Sequence, residues 1–293
     1  MSDIVIYECL YSAQQAPSLA GAQPLYIANH HPERRELQAY VEVYKRQLYS
    51  QQGYTGVFSP KFELKCHVAL DEFVHFASQQ DAATCHINPF PQIAYWSYNV
   101  WEQGEIAHPG LTKAAQQLLD AVGIGLQLAA TPRHSGHLLA YSNFWVGNAN
   151  FWHRYVGQVL VPISDFLDEN PGHPAAFGVL HDTLHTDPAP FLPFIVERLY
   201  STWISTQPLG FASHPQSAQN IVQRYCNNAF ERLLFKQMQA GIDAADANGH
   251  FPIELRLRMT HMCQLFQQHF FDYYAHRPHP HSGKAVAPFA KST

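Results

Sequence analysis

The stretch Tyr141-Ser142-Asn143-Phe144-Trp145-Val146-Gly147-Asn148, followed by Ala149-Asn150-Phe151-Trp152-His153-Arg154-Tyr155, joins an apolar strand to an amphipathic helix. Asparagines and tryptophans crowd the junction. In open α/β sheets, ligands bind where strands end and helices begin, and indole rings with a polar edge are common in such pockets. The stretch therefore predicts an α/β fold with a binding site at this junction. The alternative is a buried strand and helix whose aromatic side chains belong only to the core.

Composition narrows the class of protein. The chain has 293 residues, of which 46% are hydrophobic and 14% charged, and its formal net charge is −5. This length can bury a large core, and the mild acidic balance argues against nucleic-acid binding. We expect no transmembrane segment, because no apolar run is long enough to span a bilayer.

The N-terminus and the cysteines indicate the compartment. The first residues carry an acid and no basic side chain, so they do not predict a secretory signal. The five cysteines include no C-x-x-C pair, so neither a zinc site nor a disulfide framework is indicated. A reducing, cytoplasmic location is expected.

Strands alternate with helices in the first half of the chain, and helices dominate the second half. The pattern predicts a sheet core flanked by helices over residues 1–210, a C-terminal helical layer of the same unit over 211–277, and a disordered tail over 278–293. Strands are predicted at 4–7, 25–28, 54–58, 84–87 and 138–146. Helices are predicted at 32–49, 111–121, 148–168, 174–185, 191–205, 216–240 and 253–275.

A polar turn with two lysines follows the strand that ends at Phe58. Ser59, Lys61 and Lys65 lie just beyond the strand end. Fixed cations at such a place can bind an anion such as a diphosphate. A solvated turn is the alternative.

Residues 98–110 are predicted to form a long loop that follows a proline turn at Asn88. The loop contains Trp101, Glu102, Glu105 and His108, which include three possible acid–base groups. Loops that concentrate such residues on a rigid sheet are common functional elements. An ordered surface loop is the alternative reading.

His181 and His185 form the sharpest metal candidate. Their i, i+4 spacing on a predicted helix would allow both rings to bind one metal. However, Asp182 stands where zinc proteases have glutamate, and only Asp187 is close enough in sequence to be a third ligand. We therefore predict no tightly bound metal.

An apolar helix over residues 191–205 carries Glu197 and Arg198 at its centre. Because buried charge is costly unless paired, either the pair lies on an exposed face or Glu197 points into a pocket.

The order of these segments resembles bacterial glycosyltransferases of capsule and O-antigen biosynthesis. The matching elements, over roughly residues 25–206, are the helix with Arg35-Glu36-Leu37, the strand Gly53-Tyr54-Thr55-Gly56-Val57-Phe58-Ser59, the strand Asn143-Phe144-Trp145-Val146, the helix with Phe151-Trp152-His153-Arg154-Tyr155, and Glu197-Arg198-Leu199 followed by Trp203. In that family, the corresponding motifs are an R/Y-E-L-T-like helix, a G-x-x-H-Y-R-like strand, an N-x-F-(I/V)-like strand, an F-x-x-Y-like helix and an E-R-L-x-x-x-W-like helix. The resemblance implies a GT-A-like nucleotide-binding sheet.

The chain departs from the family pattern at two places. Phe58-Ser59-Pro60 replaces the basic triplet at the strand end, and no Asp-x-Asp motif follows a strand. Asp81 offers a single carboxylate in a comparable region. Lysines and arginines could take the place of a metal, because the task is to stabilise developing negative charge.

The leading hypothesis is a hexosyltransferase-like enzyme that moves a sugar from a nucleotide-sugar donor to a surface-glycan or lipid-linked acceptor. The expected roles are diphosphate binding by Lys61 and Lys65, with Ser59 and Asn143 as further donor contacts, stacking by Trp101 and Trp145, and acid–base chemistry by Glu197 or Glu102. Asn88, Glu105, His108 and Arg198 are further pocket candidates. The alternatives are a non-enzymatic module that binds a glycan or a protein, and a metal enzyme built on His181 and His185.

Overall fold

The computed structural model describes residues 3–183 and 189–280. Their strands are β1 (Ile4–Leu10), β2 (Gln23–Tyr26), β3 (Tyr54–Phe58), β4 (Thr84–His86), β5 (Trp145–Gly147), β6 (Asp182–Thr183), β7 (Ala189–Pro190) and β8 (Phe211–Ser213). Six of these strands form one mixed sheet in the order β2-β1-β3-β5-β4-β8, and β6 pairs with β7 separately. The predicted α/β class, with helices around a sheet, is confirmed.

One strand of this sheet runs against the others. β5 is antiparallel to both of its neighbours, β3 and β4, whereas β1–β2, β1–β3 and β4–β8 are parallel pairs. The carboxyl ends of β1, β3 and β4 therefore lie at the same edge of the sheet as the beginning of β5.

Twelve α-helical segments lie in the described part of the chain. They are α1 (Glu36–Lys45), α2 (Phe62–Cys66), α3 (Leu70–Ser78), α4 (Val100–Ala107), α5 (Leu111–Val122), α6 (Ala149–Phe151), α7 (Val161–Glu169), α8 (Pro174–Leu180), α9 (Phe191–Thr206), α10 (Ala218–Asn220), α11 (Ala229–Asn248) and α12 (Ile253–Tyr274). Short 3-10 turns occupy Pro32–Arg34, Pro91–Tyr95 and Leu128–Ala130, and π-helical turns occupy Trp152–Leu160 and Ile221–Tyr225.

Apolar side chains are buried on both faces of the sheet. Trp145 of β5 is fully buried on one face, where its ring stacks on Tyr40 of α1 with 4.8 Å between ring centroids. Phe58 and Phe144 lie on the other face, in a second cluster with Phe62. A sheet covered on both faces has continuous apolar strands, as the fully buried β3 shows.

Several predicted elements agree closely with the structure. β3, α5, α9 and α12 have bounds that match the predicted segments within about two residues, a normal difference in such assignments. Asn148 caps α6, because its side chain accepts a hydrogen bond from the backbone N–H of Phe151. Pro162 falls in the first turn of α7, after the π-helical turn, so the helix predicted over residues 148–168 changes its type there.

Other predicted elements are wrong or incomplete. The predicted strand 138–146 is replaced by the shorter strand β5. The strand cannot extend further toward the N-terminus because Ser142 and Asn143 adopt left-handed backbone angles, with φ of 60° and 56°. The predicted loop 98–110 is largely helix α4, since the Asn99 side chain accepts hydrogen bonds from two backbone N–H groups of its first turn. The predicted helix 216–240 is interrupted before Asn228, which caps α11. β8 was not predicted, and it joins the same sheet from beyond residue 210.

We predict that Gly147→Ala destabilises the fold. A Cβ at Gly147 would lie 2.2 Å from the Cδ1 atom of Phe151, and that ring is fully buried among other core side chains. The expected loss is about 1–3 kcal/mol in the free energy of unfolding, the usual cost of overpacking, measured by urea denaturation.

Gly178→Ala is the matched control for this substitution. Gly178 lies in α8, and a Cβ there would have open space within 4 Å. The control should leave the stability unchanged or raise it by up to about 1 kcal/mol, because alanine is the better helix former. Equal effects of the two substitutions would contradict the packing argument.

Candidate functional site

A cavity of about 390 Å³ lies at the carboxyl-terminal edge of the sheet. The segments that follow β3 and β4 contribute Ser59, Lys61, Lys65 and Gln92 to its wall. Ser142 and Asn143 come from the chain just before β5, and they reach the same edge because β5 is antiparallel to its neighbours. Ligands of α/β proteins bind at this edge of the sheet.

Helices close the cavity on the remaining sides. Arg35 and Glu36 come from the start of α1, and Phe194, Glu197 and Arg198 come from α9. The C-terminal part of the chain adds a largely aromatic wall. It includes Phe266, Gln267, Phe270 and Phe271 of α12, His279 beyond that helix, and Asn227 and Glu231 near the start of α11. The cavity therefore has a polar, basic side at the sheet and an aromatic side at α12.

Arg198 is a buried cation whose contacts are neutral. Its side chain is 3% exposed, and its guanidinium donates to the backbone oxygens of Val100 (3.0 Å) and Phe194 (2.9 Å) and to Oε1 of Gln103 (2.5 Å). None of the ion pairs among the described residues involves Arg198. Because buried charge is costly unless it is paired, this wall of the cavity favours an anionic ligand.

Gly104 of α4 makes room for this arginine. A Cβ at Gly104 would lie 2.6 Å from Nε of Arg198. The glycine therefore lets the guanidinium lie against the backbone of α4 and reach the oxygen of Val100.

Arg198 does not pair with its neighbour Glu197. The Glu197 carboxylate instead accepts a hydrogen bond of 2.8 Å from the backbone N–H of Ser142, and Lys65 Nζ donates to the hydroxyl of the same serine at 3.0 Å. Tyr40 holds the next residue, because its hydroxyl donates to the backbone oxygen of Asn143 at 3.0 Å. Glu197 and Tyr40 thus fix the left-handed turn that begins β5.

That turn is strained, which is typical of functional sites. Non-glycine residues seldom adopt positive φ angles, and such conformations persist where the surrounding structure holds them. Ser142 and Asn143 adopt them in succession, and both line the cavity.

Glu231 is a cavity carboxylate that is absent from the predicted site residues. Its side chain is 2% exposed, and its carboxylate accepts hydrogen bonds from the backbone N–H of Asn227 and from Nδ2 of Asn228, both at 3.0 Å. Burial raises the pKa of Glu231 to about 7, although these hydrogen bonds and the nearby Arg232 act to lower it. The sequence signal was the pattern Asn228-x-x-Glu231 before an apolar run, which is a helix-capping signature.

The structure brings most of the predicted cationic and polar residues together. Seven predicted site residues line the cavity, namely Ser59, Lys61, Lys65, His108, Asn143, Glu197 and Arg198. They come from the chain after β3, from the end of α4, from the turn before β5 and from α9.

Glu102 and Glu105 do not reach this cavity. Because residues 100–107 form a helix, Gln103 and Ala107 share the face that lines the cavity. Glu102 pairs with Arg256 at 2.9 Å, and the Glu105 carboxylate accepts from backbone N–H groups at the start of α5. Glu102 therefore lies apart from the cavity that Glu197 lines, and its acid–base role stays a prediction.

Trp101 and Trp145 belong to the core rather than to the cavity wall. Trp101 is 3% exposed and its Nε1–H donates to the Thr202 hydroxyl at 2.7 Å. Trp145 is enclosed by Tyr40 and Tyr200, with the second ring centroid at 5.8 Å. Neither indole is placed to stack on a ligand in this cavity, and the aromatic surface comes from α12 instead.

Asn88 lies beside a different cavity, of about 400 Å³, behind the turn Pro91–Tyr95. Its side-chain oxygen accepts a hydrogen bond from the backbone N–H of Phe90 at 3.0 Å. The side chain therefore shapes the turn that separates the two cavities.

The helical premise of the histidine metal site is wrong. Helix α8 ends at Leu180, and His181 follows in extended conformation with ψ of 142°. Its ring lies against Phe177, whereas His185 and Asp187 lie outside the described residues. Within the described ranges, no group of three or more side chains of the metal-binding types is arranged to hold an ion.

No protein-family model, no curated protein and no solved structure matches this chain. None of the helices in the described part of the chain is long and apolar enough to cross a lipid bilayer.

We predict that Glu197→Ala lowers stability much more than Glu197→Gln does. Alanine leaves the N–H of Ser142 without its acceptor and releases the strained turn, which should cost about 1–3 kcal/mol. Glutamine retains an oxygen that can accept the same hydrogen bond, so its cost should be less than half as large. Chemical denaturation of both variants measures the difference.

Exposed Glu254 of α12 provides the control, because its change to alanine removes a carboxylate from a place outside the cavity. If Glu197→Ala were no more damaging than Glu254→Ala, the carboxylate would not be holding the turn.

Proposed function

We propose that this protein is a glycosyltransferase that transfers a sugar from a nucleotide-sugar donor to a surface-glycan or lipid-linked acceptor. The observation that carries the proposal is the basic cavity at the carboxyl edge of the sheet, where Arg35, Lys61, Lys65 and Arg198 line one space. The sequence resemblance to glycosyltransferases of capsule and O-antigen biosynthesis supports it. A GT-A-like arrangement of the sheet is part of the proposal.

The donor diphosphate lies against the basic side of the cavity in this proposal. Lys65 already donates to the Ser142 hydroxyl, and its ammonium forms no ion pair among the described residues. Together with Arg198 it gives the cavity wall positive charge that no ion pair among the described residues neutralises, although the carboxylates of Glu36, Glu197 and Glu231 line the same cavity. Positioned cations stabilise the negative charge that develops on a leaving diphosphate, and a uridine, guanosine, cytidine or thymidine diphosphate sugar supplies that group.

The aromatic side of the cavity suits the base or the sugar of the donor. Phe266, Phe270 and Phe271 of α12 are partly exposed there. Flat apolar rings are common in ligand pockets, where a few polar groups fix the orientation. In the proposal these rings take the stacking role that the sequence analysis gave to Trp101 and Trp145.

A cytoplasmic location is part of the proposal. All five cysteines are buried and none forms a disulfide, which suits a reducing compartment. That the enzyme holds no tightly bound metal stays a prediction, which elemental analysis of the purified protein can test.

Changing Lys61 and Lys65 together to alanine should weaken donor binding by about 2–3 kcal/mol, the usual contribution of charged hydrogen bonds. Isothermal calorimetry with UDP-glucose, UDP-galactose, GDP-mannose, a CDP-sugar and dTDP-rhamnose at millimolar concentrations measures the affinity. The wild-type protein should bind at least one of them.

The matched control changes Lys113 and Lys236 to alanine. Both lysines are exposed and lie outside the cavity, so this variant loses the same charge without loss of affinity. Equal weakening in both double variants would indicate a general effect of net charge. Binding without turnover would favour the binding-module alternative, and no binding of any nucleotide sugar would refute the proposed function.

A further inference from the structure

Glu231 differs from the other carboxylates of the cavity in its burial and in its hydrogen-bond partners. The Glu197 carboxylate is engaged by the Ser142 N–H, and Glu36 lies in the first turn of α1. Glu231 comes from the start of α11, and the C-terminal helices contribute it to the wall together with Asn227 and the α12 phenylalanines. It is the most deeply buried of these three carboxylates.

The hydrogen bonds of Glu231 are those of a helix cap. Asn228 Oδ1 accepts from the Glu231 N–H at 2.9 Å, and the carboxylate accepts from the N–H of Asn227 in return. Capping carboxylates act as anions at the positive end of a helix. A carboxylate has room for about four hydrogen bonds, and the cap and Asn228 Nδ2 supply two, so acceptor capacity remains for a ligand.

Burial disfavours the charged form of the Glu231 carboxylate, whereas the cap stabilises that form. Burial raises the pKa of Glu231 to about 7, so that the charged and neutral forms are both populated near neutral pH. The ionisable groups that act on Glu231 or are affected by it are Arg232, Cys226 and Tyr274. The charged groups elsewhere on the cavity wall are Arg35, Glu36, Lys61, Lys65, Glu197 and Arg198, and the further titratable groups are His108, Tyr141 and His279.

We propose that Glu231 is the general base of the transfer reaction. This assignment rests on the proposed function. The Glu231 carboxylate removes the proton from the acceptor hydroxyl while that oxygen forms a bond to the anomeric carbon of the donor. The bond from that carbon to the diphosphate oxygen breaks, and the diphosphate leaves with the electron pair toward Lys65 and Arg198.

The cations and Glu231 come from different elements of the cavity wall, and the proposal gives each group one half of the reaction. The cations lie on the sheet side and on α9, and Glu231 lies beside α12. In the proposal, the acceptor enters on the α12 side and attacks the carbon from the face opposite the leaving group. Direct displacement of this kind inverts the anomeric configuration.

The test compares the full-length wild-type protein with Glu231→Gln and with the control Glu254→Gln, an exposed carboxylate in the first turn of α12. Hydrolysis of the nucleotide sugar that binds in calorimetry is followed between about pH 5 and pH 9, with water as the acceptor. Glu231→Gln should keep donor affinity within about twofold and lower the hydrolysis rate about 100-fold or more, the usual contribution of a general base. The wild-type rate should rise through an apparent pKa near 7, and this limb should be absent from the variant.

Melting temperature gives a second readout that does not depend on turnover. Because the pKa of Glu231 is raised above that of an unfolded chain, its protonation stabilises the fold at low pH, and this stability is lost as the pH rises through about 7. The melting temperature of the wild-type protein should therefore fall relative to that of Glu231→Gln between about pH 5 and pH 8.

The outcomes separate the two proposals. If the wild-type protein binds no nucleotide sugar, the proposed function fails and the assignment fails with it. If the wild-type protein binds and hydrolyses a donor, but Glu231→Gln does so equally fast with the same pH profile, only the assignment is overturned. A bound donor that the wild-type protein never hydrolyses also overturns it, because a base beside the anomeric carbon would act on water. A loss of rate with an unchanged pH limb would show that Glu231 only caps the helix.

Discussion

The antiparallel insertion of β5 between β3 and β4 is the constraint on which the site depends. A strand that runs against its neighbours begins at the edge where they end, so Ser142 and Asn143 meet the chain that follows β3. The chain enters β5 through two successive left-handed residues, which are unfavourable for side chains other than glycine. Tyr40 and Glu197 stabilise this turn from two helices that pack around the sheet.

The positive charge of Arg198 on the cavity wall is retained because its hydrogen-bond acceptors are uncharged. Arg198 is held by backbone and amide oxygens, which orient its guanidinium without neutralising its charge. Neutral partners lower the cost of burial, but they leave the positive potential available to a ligand. The close approach of α4 at Gly104 makes this arrangement possible, because any side chain there would displace the arginine.

The sequence was informative wherever the structure depends on neighbouring residues. Strand β3 and the polar residues after it were predicted, since apolar runs and the turns that follow them are local patterns. The start of a helix at residue 148 was predicted for the same reason, and Asn148 caps it. Lys61 and Lys65 were therefore placed at the correct edge of the sheet from the order of the chain alone.

The features that were missed depend on distant parts of the chain. Trp145 is as aromatic as the α12 phenylalanines, but only tertiary packing decides which rings face the cavity and which are enclosed by Tyr40 and Tyr200. Glu102 was misplaced because the cap by Asn99 turned an expected loop into a helix with a fixed face. Two carboxylates of the cavity show the same principle. Glu197 is held by a backbone donor across the fold, whereas Glu231 is buried in the first turn of α11. Identical side chains acquire different chemistry when their environments differ in this way. Packing, rather than a sequence motif, therefore decides which carboxylate orients the turn and which one accepts a proton in the proposal.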